Sequence, residues 1–114
     1  MRWIEMIRMR SSSGWPEQDW RSLAAQVREI AAETTGMRDV MVFKHALFDG
    51  DLAIVLVWDN DRQPVRTREG LLLADSLQRH GMVDHAVWMA APGFGEQLDQ
   101  AEVRPGERYA ARDK

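Results

Sequence analysis

His45, His80, Lys44, Trp58 and Trp88 are the side chains of this sequence best suited to carry chemistry, and the surroundings of each decide whether it does. His45 belongs to KHALFDGDLAIVLVWD, residues 44–59, whose LAIVLVW segment is apolar at every position. In an extended run it shares a face with Phe43 and Leu47, so its imidazole would be partly withdrawn from water, which suits a general base in an apolar pocket. The same histidine would serve equally as a hydrogen-bonded strand residue at an interface or a sheet edge. His80 precedes Gly81 at the end of a helical pattern, where an imidazole also complements the negative helix end. These two are the candidate catalytic residues. Lys44 lies among Val42, Ala46 and Val55, either holding an anionic group of a ligand or running its stem toward water. Trp58 and Trp88 sit in strand-like runs and offer flat walls for an aromatic ligand, or bulk for a core. Lys44, Trp58 and Trp88 are thus the candidate substrate-binding residues. Glu5, inside the apolar run WIEMIRMR, needs a partner, with Lys44 and Arg8 the candidates. His85, beside Asp84, reads as part of a surface turn. Arg8 and Arg10 would orient an acidic aromatic ligand near Trp15, or act as ordinary strand-end charges.

Several chemistries are excluded or unsupported. The chain has no cysteine, so disulfides, thiolate nucleophiles and Cys-based metal sites are impossible. No P-loop, GxGxxG, HExxH or GxSxG occurs, nor a histidine pair spaced with a carboxylate, so neither a metal nor a nucleotide cofactor is expected. Fifteen Lys and Arg are scattered against eighteen Asp and Glu, for a net charge of −3, which is not the footprint of a nucleic-acid binder. Glu5, Arg8 and Arg10 interrupt the apolar start as no signal peptide or membrane span would, so a cytoplasmic protein without a membrane partner is expected. Five tryptophans against one tyrosine point to a bulky core or an aromatic ligand.

The elements that must position these residues follow from pattern. At 114 residues the chain is one domain. Residues 3–10 read as a strand, and Ser11 to Gly14 break it. Pro16 starts a helix over 16–35, with Trp20, Leu23, Ala24, Val27, Ile30 and Ala31 on one stripe and Gly36 as its left-handed stop. Asp49-Gly50 between residues 39–48 and 51–59 signals a two-residue hairpin, pairing Phe48 with Asp51, His45 with Ile54, Phe43 with Leu56 and Met41 with Trp58. That register gives one face Met41, Phe43, His45, Leu52, Ile54 and Leu56 and the other Val40, Val42, Lys44, Ala53, Val55 and Val57, so both faces are apolar. Thr67 caps a second helix over 68–80, which Gly81 closes, and residues 85–91 form a last strand.

The resulting βαββαβ order predicts an α+β, ferredoxin-like fold, with a four-stranded antiparallel sheet carrying both helices on one face. The other face is apolar and needs a cover, most simply the same face of a second copy in a homodimer. This order, the chain length and the two-faced hairpin resemble the dimeric α/β-barrel superfamily, particularly its antibiotic-biosynthesis-monooxygenase-like group, over residues 1–92. The resemblance implies a barrel across the dimer and a pocket between sheet and helices for a small aromatic or apolar molecule. It further implies a cofactor-independent monooxygenase; a non-catalytic dimerisation module and a haem protein ligated by His80 are the alternatives. Residues 93–114 read as a charged tail, or an arm docking on the second subunit.

Overall fold

A computed structural model describes residues 1–11 and 13–93. Within them run β1 (Arg2–Arg10), α1 (Glu17–Glu33), β2 (Met37–Lys44), β3 (Asp51–Asp59), α2 (Arg68–Leu77) and β4 (Met82–Met89). This is the expected βαββαβ order. The four strands make one antiparallel sheet in the order β2-β3-β1-β4, so the first strand is paired on both sides. Of the expected tail, residues 94–114 lie outside the described residues.

Local chemistry accounts for the helices. Pro16 occupies the N-cap of α1 at φ −59°, ψ 149°, and Glu17 and Asp19 place negative charge at the positive helix end. Leu23 and Val27, one turn apart, are buried against the sheet. Gly36, at φ +86°, makes the left-handed turn into β2. Thr67 caps α2, its Oγ1 accepting the Gly70 N–H at 3.0 Å. This helix ends at Leu77, short of His80, where the Gln78 N–H bonds back to the Ala74 and Asp75 carbonyls. Gly81 does not supply a left-handed stop; it is a glycine because a Cβ there would lie 2.1 Å from the Arg10 carbonyl oxygen.

The β2–β3 connection corrects the expected register. Lys44 pairs with Leu52, Val42 with Ile54 and Val40 with Leu56, so the β2 side chains from Asp39 to Lys44 lie on the face opposite to that expected from a two-residue turn. The cause is the conformation of residues 45–50. The His45 N–H reaches the Asp51 carbonyl at 3.0 Å, and its ring Nδ1 accepts the N–H groups of Leu47 and Phe48 at 2.9 and 3.1 Å. An imidazole thus closes a wider loop, and the strand stops at Lys44. Gly50 has no positive φ; a Cβ there would sit 1.6 Å from the Ser11 carbonyl oxygen, so the glycine serves close approach.

With the register settled, one face lies under the helices and the other is open. Trp3, Ile7 and Met9 of β1 and Leu52, Ile54, Leu56 and Trp58 of β3 form the core with Leu23 and Val27 of α1 and Leu73, Ala74 and Leu77 of α2. Fully burying one such leucine stabilises by about 1.5–3 kcal/mol. The opposite face has no helix. It carries Ile4, Met6, Met41, Phe43, Ala53, Val57, Ala86 and Trp88, with Phe43 and Trp88 half exposed or more. Ion pairs Arg8–Asp84 at 2.9 Å and Arg10–Asp51 at 3.2 Å border this apolar field at one end.

Candidate functional site

Glu5 is the most unusual residue of the covered face. It sits in the middle of β1, fully buried, between Leu56 of β3 and Val87 of β4. Four donors converge on its carboxylate. Oε1 accepts from Trp58 Nε1 at 2.8 Å and Thr67 Oγ1 at 2.5 Å; Oε2 accepts from the Thr67 N–H at 3.1 Å and lies 2.7 Å from His85 Nε2. An ionised carboxylate has room for all four and no proton to give, so the proton between Glu5 and His85 is assigned to Nε2. Thr67 works twice, since the hydroxyl that donates to Glu5 also accepts the Gly70 N–H to cap α2. Gly70 lets the helix approach, because a Cβ there would lie 2.0 Å from Glu5 Oε2 and 3.0 Å from His85 Nε2. His85 itself is buried, and its Nδ1 has no hydrogen-bond partner among the described residues.

A second feature lies under the other edge of the sheet. A groove of about 790 Å³ between α1 and β2 is lined by Trp15, Trp20, Ala24, Val27, Val40 and Val42, with Lys44, Arg21 and Arg28 among its charged residues. The Trp15 and Trp20 rings pack at 5.8 Å. Their indole Nε1 atoms are buried without a partner among the described residues, whereas Trp3 donates to Asn60 Oδ1 at 3.0 Å and Trp58 to Glu5. A buried N–H left without an acceptor costs about 1–3 kcal/mol.

No family model matches this sequence, and no curated protein matches it. Solved structures do. SnoaB, a cofactor-independent oxygenase from Streptomyces nogalater, superposes with a TM-score of 0.57 at 16% identity, covering 79% of this chain and 93% of its own. A candidate antibiotic biosynthesis monooxygenase from Bordetella bronchiseptica gives 0.57 at 14% identity, covering 79% and 97%. Another from Deinococcus radiodurans gives 0.55 at 14%, covering 82% and 95%. These neighbours are antibiotic-biosynthesis-monooxygenase-like proteins of the ferredoxin-like, dimeric α/β-barrel superfamily. The chain shares their ferredoxin-like fold.

Within this ferredoxin-like fold His45 and Lys44 come together with Arg8 and Arg10 along a groove of about 510 Å³, and the other residues singled out from sequence are dispersed. His45 is exposed in the loop it closes, its ring 4.8 Å from Phe48. His80 is exposed after α2, its ring 4.8 Å from that of Trp15. His80 lines a space of about 140 Å³ between α1 and α2 and also an open groove of about 1050 Å³ beside Gly14, Phe48 and Gln78. Lys44 lines the α1–β2 groove, its Nζ 3.5 Å from Asp49 Oδ1. Trp58 is buried, stacked on Trp3 at 5.6 Å and bonded to Glu5, and Trp88 stands on the uncovered face. Among the described residues no group of three or more His, Asp or Glu could hold a metal, and no helix is long and apolar enough to cross a membrane.

The sequence offers Arg8 and Lys44 as partners for Glu5 and does not reveal the Glu5–His85 pair. Arg8 points to the other face, and Lys44 is at the sheet edge. The usable signal was topological. Once β1 and β4 are antiparallel neighbours, Ile7 stands opposite His85, placing the imidazole on Glu5's face, one position diagonal to it.

Proposed function

We propose that this chain forms a homodimeric α/β barrel that binds a small, planar aromatic molecule in the α1–β2 groove and oxygenates it without a cofactor. The pair of buried, unpartnered indole N–H groups carries the reading: an apolar floor of Val27, Val40 and Val42 suits a ring system, and two donors suit its oxygens. The fold shared with a cofactor-independent oxygenase supports the reaction type. In such a reaction a CH₂ group activated by a conjugated phenolic ketone loses a proton, and its carbanion is oxidised by O₂. One oxygen atom becomes the new carbonyl, and the other leaves as water with the two hydrogens lost from carbon. Lys44 lines the groove and is suited to hold a phenolate oxygen, and solvent takes the proton, since His80 packs on Trp15 but does not line the groove.

The second subunit covers the uncovered sheet face, whose apolar field spans all four strands and is bordered by ion pairs. Two measurements test the proposal. Adding a tricyclic phenolic ketone in air, with no metal or flavin, should quench tryptophan fluorescence and consume one O₂ per substrate. Trp20→Phe should weaken binding by roughly five- to tenfold, the worth of one hydrogen bond. A ligand that neither quenches fluorescence nor draws oxygen defeats the groove reading. Light scattering should give a dimer and Phe43→Asp a monomer; a monomeric parent protein at micromolar concentration defeats the assembly.

A further inference from the structure

We infer that His85, oriented by Glu5, is a proton acceptor for a small neutral carbon acid seated in the cleft between α2 and β4. The cleft measures about 350 Å³ and is lined by Arg66, Ala74, Asp75, Gln78, Val83 and His85, among others. It is a different place from the tryptophan groove, since β4 and β2 are opposite edges of the sheet, and it calls for different chemistry.

The argument runs from the carboxylate outward. Three of the four donors on Glu5 come from Trp58 and Thr67, which fix its position; the fourth is His85 Nε2 at 2.7 Å. A carboxylate bound to one ring nitrogen fixes the tautomer, leaves the lone pair on Nδ1, and stabilises the imidazolium formed when Nδ1 takes a proton. That Nδ1 is buried and has no partner among the described residues.

The rest of the lining sets the class of ligand. Asp75 and Asp84 line the cleft with Arg66, so an anionic substrate gains little there, while a neutral molecule meets donors in the Arg66 guanidinium and the Gln78 amide. An enolisable ketone fits this pattern. His85 Nδ1 takes the α-proton, the C–H bonding pair becomes the enolate C=C, and the carbonyl electrons move to oxygen beside Arg66 or Gln78. Return of the proton to carbon completes an exchange that needs no oxidant and no cofactor.

The test uses the intact protein and 2-indanone, a neutral bicyclic ketone, in D₂O. Proton NMR should show α-deuteration at least tenfold faster than in buffer, and His85→Gln should return the rate to that of buffer. Nitrogen-15 NMR of the unmodified protein keeps the test decisive should that variant not fold: the His85 Nδ1 resonance should be that of an unprotonated nitrogen and should move when 2-indanone is added. Deuteration no faster than in buffer, His85→Gln retaining the full rate, or an Nδ1 resonance unmoved by the ketone would each overturn the inference. The groove reading is judged by tryptophan quenching and oxygen uptake with a different ligand, so failure of one is distinguishable from failure of the other.

Discussion

The two faces of the sheet draw on similar apolar residues and treat polar ones in opposite ways. On the helix-covered face a single carboxylate, Glu5, is enclosed with four donors from three residues. On the uncovered face the charged residues pair at the ends of the strands, in or near water, and the middle is left to Ile4, Met6, Val57 and Trp88. Burying a charge is costly unless each of its bonding positions is filled, so it is tolerated where β3, β4 and the start of α2 supply partners. The uncovered face has no such supply, and its charges stand at the ends of the strands.

Mutations that trade on this difference should separate by face. Glu5→Leu should destabilise most, by about 3–5 kcal/mol in urea unfolding, because it strands Trp58 Nε1, Thr67 and His85 without an acceptor; a loss below 1 kcal/mol would mean the network is not formed. Leu73→Ala, in the covered core, should cost about 2–5 kcal/mol. Met41→Ala on the other face should cost about 0.5 kcal/mol or less at a dilution where the protein is monomeric. Equal losses at the two sites would erase the distinction between faces. Gly70→Ala should cost about 1–3 kcal/mol by driving a methyl group into Glu5 and His85, visible as a lower thermal midpoint. Arg8→Ala should also be small, at most about 1 kcal/mol, since the Arg8–Asp84 pair is well exposed.

Much of the fold was legible because it rests on local signals. Residues 51–59 were read as β3 with the bounds observed, Gly36 as a left-handed stop and Thr67 as a cap, each from chemistry within a few residues. The hairpin register was not, because Asp49-Gly50 carries the local signature of a tight turn, while the reason for Gly50 is the Ser11 backbone pressed against it, far away in sequence. The same limit hid Glu5's partners. That a glutamate in an apolar strand needs partners could be stated from sequence; which residues meet it depended on β1 lying between β3 and β4. Trp15 and Trp20 were counted as part of a tryptophan excess, but only their packing reveals that two indole N–H groups lack acceptors.

The central position of β1 also orders events in time. As the chain leaves the ribosome, β2 and β3 can close on each other as soon as both are made, because their pairing is short-range. Glu5 must wait. Its donors lie 53, 62 and 80 residues downstream, at Trp58, Thr67 and His85, so the strand synthesised first is the last to be completed. Until β4 emerges, an apolar strand with a hydrated carboxylate at its middle remains open along one side. A charge at the middle of that strand disfavours its association with other apolar segments, and its last donor, His85, arrives only with the final strand.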